Sequence, residues 1–141
     1  MDNIIKEKIS ADHLLYVSLK YTKTCDVIIN LLLRWKIMID MGMENLIEKA
    51  KKSKKWKPGL DAPRARLNQL KQIYAKVPEV AETLETYELF RDIEKLPKIR
   101  ENEFRKGVNL KVTYKEGVVN INLDKLREYS ELLERFISYL K

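Results

Sequence analysis

The stretch Ala11–Ile39, ADHLLYVSLKYTKTCDVIINLLLRWKIMI, decides the fold class. Leu14, Ser18, Tyr21, Cys25, Ile28, Leu32, Trp35 and Ile39 follow one another at alternating spacings of four and three. That is the seam of one long helix packed against other helices. Ser10 or Asp12 would cap its start. Leu15, Leu19, Ile29 and Leu33 widen the apolar face, so the helix needs more than one neighbour. It is expected either at the centre of a bundle or partly in a dimer interface. Its most apolar part, Val27–Ile39, holds Arg34 and Lys36 and is too short to cross a bilayer, which takes about 20 residues.

Outward from this helix the chain reads as more of the same. Gly42 is expected to break or bend it, with a second helix over about 43–55 ended by Lys57-Pro58-Gly59. Asp61-Ala62-Pro63 would cap and open a third helix, with Leu67, Leu70, Ile73 or Tyr74, and Val77 inside. Pro78 marks a kink or break before a fourth, carrying Val80, Leu84, Tyr87 and Ile93 and ending near Leu96-Pro97. Over 108–122 the period changes to two. Val108, Leu110, Val112 and Tyr114 alternate with polar residues, as do Val119, Ile121 and Leu123. Lys115-Glu116-Gly117 suits a three-residue hairpin loop with glycine in the left-handed position. Asn122 or Asp124 would cap a last helix with Leu126, Tyr129, Leu133, Phe136 and Leu140 on one face. The expected fold is all-α: one domain over 1–141, a bundle of about five helices with one β-hairpin before the C-terminal helix.

Composition narrows the function classes. The 141 residues hold one cysteine, Cys25, so no intrachain disulfide forms and a reducing, cytoplasmic setting is expected. Met1–Ser10 alternates charges with isoleucines and lacks the apolar core of a secretory signal. Abundant Lys and Glu with only two Gln is a balance common in thermophile proteins. His13 is the only histidine, which excludes a histidine-rich metal site; it is expected near the surface at a helix start. Cys25 lies on the apolar seam, where a buried, inert thiol is expected. The sequence contains no phosphate-binding glycine loop, no Ser-His-Asp set and no zinc-ligand spacing, and no catalytic residue, metal or cofactor is assigned. The run Arg100–Lys106 reads as an ion-pair network holding a junction, with a polar site as the other reading.

Charge is unevenly placed. Lys49–Lys76 holds ten cations and one acid, whereas Glu79–Glu103 holds eight acids and four cations. One reading makes the basic segment a nucleic-acid surface. Lys51, Lys52, Lys54, Lys55, Lys57, Arg64 and Arg66 would neutralise phosphates, and Trp56 among them would stack on a base. The other reading is a solvated helix end, with lysines favoured by the helix dipole, Trp56 folded back beneath the loop, or the basic region paired with the acidic helix.

Asp12-His13-Leu14-Leu15-Tyr16-Val17-Ser18-Leu19-Lys20-Tyr21, with the chain's size and helical layout, resembles small archaeal proteins in or near the HEPN superfamily. That resemblance implies a helical bundle, often dimeric, in a family of RNases, toxins and nucleotidyltransferase partners. Catalytic members carry an Arg, four to six residues, then His. Here the positions before His13 that would supply the arginine hold Lys6, Glu7 and Lys8, and no histidine follows Arg100. The resemblance therefore implies a non-catalytic module that binds RNA or another polyanion. The rival expectation is a homodimeric interaction protein, joined to its partner through the apolar first helix, with a basic face that serves only solubility.

Overall fold

A computed structural model describes residues 1–59 and 61–141. Among them the chain is mostly helical: α1 (Asp2–His13), a π turn (Leu14–Ser18), α2 (Leu19–Tyr21), α3 (Cys25–Lys52), α4 (Pro63–Ile73), α5 (Pro78–Asp92) and α6 (Leu123–Leu140). A three-stranded antiparallel sheet, β1 (Lys98–Glu101), β2 (Asn109–Tyr114) and β3 (Gly117–Asn122), lies between α5 and α6 in the chain, in spatial order β1-β2-β3. No described helix is long and apolar enough to cross a membrane.

α3 is the axis of the molecule and contacts α1, α4, α5, α6 and β2. Trp35 at its middle stacks on Phe90 of α5 at 5.8 Å, and Tyr129 of α6 meets both rings edge-on at 6.2 and 5.0 Å. Such aromatic pairs add about 0.5–1.5 kcal/mol each beyond the area they bury. The expected inner faces of α5 (Val80, Leu84, Tyr87) and α6 (Leu126, Tyr129, Leu133, Phe136, Leu140) are buried as read, and so is Ile93 just past α5.

The first half of the quoted stretch differs from expectation: helix already runs from Asp2, so Ser10 and Asp12 lie inside α1 and do not cap it. The helix is not continuous over 11–39: the chain leaves helix at Thr22–Thr24 and starts again at Cys25. Thr22 is extended at φ −135°, and Thr24 caps α3 by accepting the Val27 N–H on its hydroxyl. Before that break, Leu19 N–H reaches Leu14 C=O, five residues back, in the π turn. Each turn there takes in an extra residue, so the buried positions run Ala11, Leu15, Leu19 in steps of four. The regular seam fails, and Tyr21, expected inside, is 78% exposed.

Gly42 does not break α3, which runs through it to Lys52 as one 28-residue helix; no separate helix exists over 43–55. Gly42 is there for space. A Cβ on it would sit 2.5 Å from Phe136 Cε2 and 2.7 Å from Phe136 Cζ. Phe136 is fully buried and its ring has nowhere to go.

Pro63 opens α4 and Pro78 opens α5, each in the first turn where a missing N–H costs nothing. The cap of α4 is the extended Ala62 without a side-chain bond, not Asp61. α4 ends at Ile73 and α5 at Asp92, so Val77 belongs to the junction and Leu96-Pro97 lies beyond the fourth helix.

The hairpin forms where the period-two pattern placed it, with Leu110 opposite Ile121 and Val112 opposite Val119. Its turn is shorter than expected. Gly117 pairs with Tyr114, so only Lys115 and Glu116 connect the strands, and Lys115 takes the left-handed conformation at φ 56°. Asn122 caps α6 by accepting the Lys125 N–H at 2.8 Å. The third strand, β1, was not expected. Its sequence Lys-Ile-Arg-Glu buries no residue fully and leaves Ile99 59% exposed, so it carries no alternation. It is a short, charged edge strand of the kind that discourages further pairing.

Candidate nucleic-acid interface

The C-terminal end of α3 closes in a Schellman motif. Lys55 N–H donates to Ala50 C=O at 2.9 Å and Lys54 N–H to Lys51 C=O at 3.1 Å, with Lys54 at φ 60°. Glycine usually fills this position, because a Cβ in the left-handed region costs about 1–2 kcal/mol. A lysine is held there instead. The turn sends Lys51, Lys52, Lys54, Lys55 and Lys57 outward, all exposed. Among the described residues no carboxylate lies within ion-pair distance of any of the five. They stand at the negative end of the α3 dipole, which favours them.

The loop that carries them is anchored from below. Gln69 on α4 is buried; its Oε1 accepts the Lys57 N–H at 2.5 Å and its Nε2 donates to Lys57 C=O at 3.4 Å. One side chain thereby completes both backbone groups of Lys57, as a neighbouring strand would. Trp56 is partly buried against the hydrophobic core, so it serves as a plug under the loop more than as an open stacking platform. Lys49 is drawn aside and donates to Leu140 C=O at 2.7 Å, tying α3 to the end of α6.

The two arginines read into the same surface are engaged elsewhere. Arg66 pairs with Glu44 of α3. Arg64 lies 3.7 Å from Glu88, a buried carboxylate of α5 that also receives Lys71 at 3.3 Å and Lys115 at 3.9 Å. The basic segment therefore divides. Its arginines and Lys71 pair with acids, two of them with the acidic helix, and the lysines of 51–57 face solvent.

Two other sites bear on chemistry. The Arg100–Lys106 run is an ion-pair network at the opposite end of α3. Arg100 bridges Asp26 at 2.7 Å and Glu103 at 3.4 Å, and Glu103 Oε1 accepts the Cys25 N–H at 3.2 Å, capping the helix. Cys25 itself is fully buried, its thiol 3.5 Å from Asn109 C=O. A cysteine at a helix start is ordinarily activated. Here burial pushes the thiol up to about 11, with the Glu103 carboxylate adding to it. His13 is exposed at the last residue of α1, not at a helix start.

Sequence reasoning missed a cleft of ≈ 520 Å³ between α3, α4 and α5, with Met41, Leu67 and Leu70 among its walls. In it Tyr87 donates to Asp40 Oδ1 at 2.6 Å while Lys36 holds Oδ2 at 2.7 Å. Burial, then the Asp40 bond, pushes the Tyr87 phenol far up, so it stays a proton donor. Only the α3 spacing of Lys36 and Asp40 hinted at this pair. Among the described residues no three His, Cys, Asp or Glu side chains gather as metal ligands. Comparison with family models, curated proteins and solved structures returned no match.

Proposed function

We propose that the protein is a non-catalytic, HEPN-like helical module of the cytoplasm that binds RNA or another polyanion through the lysine cap of α3. The observation that carries this reading is the set Lys51, Lys52, Lys54, Lys55 and Lys57, exposed together on an anchored turn with no acid among the described residues within ion-pair distance. Unpaired lysines on a rigid loop keep their full attraction for phosphates and release counterions on binding. Arg64 and Arg66 are secondary in this reading, since they would first have to leave Glu88 and Glu44. Trp56 sets the height of the loop.

The test is fluorescence anisotropy with a short labelled RNA and its DNA equivalent at low and moderate salt, with a gel of the same samples. Binding should fall steeply with salt and leave the RNA intact. Changing all five lysines to glutamine should flatten the log–log salt slope by roughly 3–4, at about 0.7 per phosphate contact on a single strand. An unchanged slope refutes the lysine cap, and cut RNA refutes the non-catalytic reading.

A homodimeric interaction module is the second reading. It is favoured by Ile9, 63% exposed, and Ile37, 39% exposed, beside a groove between α1 and α3 that Leu14 and Leu33 also line. A stable dimer in sedimentation that binds neither nucleic acid even at low salt would favour it.

A further inference from the structure

The end of α3 opposite the lysine cap displays aromatic rings that the fold does not use. Tyr21 is 78% exposed, Phe104 73% and Tyr16 57%. Phe104 is the most telling. It sits at φ 67°, in the left-handed region that a bulky residue rarely adopts. Such strain persists where the surrounding structure holds it, and here the ring contributes nothing to that hold because it is in solvent. The loop is nevertheless fixed: Phe104 N–H donates to Lys23 C=O at 2.7 Å, and Asn102, itself at φ 53°, donates to Gly107 C=O at 3.3 Å. Tyr16 is carried by the π turn, and Tyr21 follows it out of the seam.

Lys23 links the neighbourhoods of these rings: it lines a cleft with Tyr16, and its C=O holds the Phe104 N–H. Tyr16, Lys20, Lys23 and Arg127 line one cleft. Lys23 and Arg127 also line the next, with Lys106 and Asn109. Lys20 Nζ lies 5.8 Å from the centre of the Tyr21 ring. Arg100 and Arg127 are paired with Asp26, Glu103 and Asp124. Lys20, Lys23, Arg105 and Lys106 have no carboxylate within ion-pair distance among the described residues. In the second cleft Asn109 Oδ1 is a buried acceptor without a partner. Its amide is held in place because Nδ2 donates to Glu101 at 2.8 Å and to Asn120 at 3.0 Å.

The geometry points to a binding site for single-stranded nucleic acid, separate from the lysine cap. Bases stack on Tyr16, Tyr21 and Phe104, and phosphates meet Lys20, Lys23, Arg105 and Lys106. Exposed rings beside unpaired cations fit a ligand with alternating π-faces and phosphates. A protein partner fits them less well, because interface cores are depleted in lysine. A duplex hides its base faces, so this surface selects unpaired strands. Twenty-eight residues of helix separate it from the lysine cap, roughly 40 Å.

The test uses the whole chain and a short RNA carrying 2-aminopurine, whose fluorescence falls on stacking, single-stranded and annealed to its complement. The wild type should quench the single strand and leave the signal of the duplex, whose bases are already stacked, unchanged. Tyr16→Ala/Tyr21→Ala/Phe104→Gly should abolish quenching and weaken single-strand binding at least tenfold, with duplex binding unchanged. Phe104→Gly alone, which suits the left-handed backbone at this position, should lose part of both. The five-lysine glutamine variant should keep the quenching, which separates this site from the cap. Binding of the wild type without quenching, quenching that survives in the triple variant, or quenching lost with the lysines would each overturn the proposal.

Discussion

The two ends of α3 handle aromatic surface in opposite ways. At the C-terminal end the aromatic residue, Trp56, goes inward and the cations go out unpaired. At the N-terminal end Arg100 pairs with Asp26 and Glu103, Lys20, Lys23, Arg105 and Lys106 stay unpaired among the described residues, and the rings of Tyr21 and Phe104 go out. Both ends hold a non-glycine residue at positive φ, Lys54 at one and Phe104 at the other. As proposed, one end offers bare charge to phosphate, and the other adds ring faces for bases. A chain with both would grip a backbone at one place and inspect unpaired bases at another.

The largest effect expected from pressing on this contrast is alkaline. At the N-terminal end burial moves the Cys25 thiol from 9.0 to about 11, and in the core burial moves the Tyr129 phenol from 10.0 to about 12. The folded chain keeps these protons where the unfolded chain has released them, so their contribution is complete below about pH 9 and is lost as pH rises through the folded values. Melting temperature should be level up to pH 9 and fall beyond it. Cys25→Ala should delay the onset of that fall from about pH 9 to about pH 10, where the Tyr129 part begins.

Truncating one aromatic at each end gives the next largest effect. Trp56→Ala should cost about 2 kcal/mol, below the ~3–5 of a fully buried ring because Trp56 is only partly covered. Tyr21→Ala should stay within about 0.5 kcal/mol, as for any exposed side chain. Urea unfolding of both variants checks this, and equal losses would erase the distinction between plug and platform.

The smallest effect is shared. Lys54→Gly and Phe104→Gly each relieve a left-handed Cβ at the expense of a looser unfolded chain, for a net gain of about 0.5–1 kcal/mol. Both should raise the melting temperature. A loss at Phe104 would mean that its ring contributes to the fold after all.

Much of the layout could be read from the residues, because α5, α6 and the hairpin keep strict periods and their inward positions are the buried ones. The failures have local causes. One π turn shifts the helical period, so a regular seam wrongly puts Tyr21 inside. Gly42 reads as a breaker because glycine is a poor helix former; only the position of Phe136 reveals that it makes room. β1 is an exposed edge strand and has no alternation to find. The lysines of the cap were visible as a run. That Arg64 and Arg66 would be claimed by Glu88 and Glu44 depends on contacts made across three helices, and no spacing announces them.

Gly42 has a consequence for how this sequence can drift. The missing methyl at position 42 and the ring at position 136 fill one volume between α3 and α6. Neither can grow alone, and a smaller residue at 136 leaves a hole unless 42 gains what was lost. The two positions are therefore expected to change together in any lineage that keeps this packing, one compensating the other across 94 residues of chain.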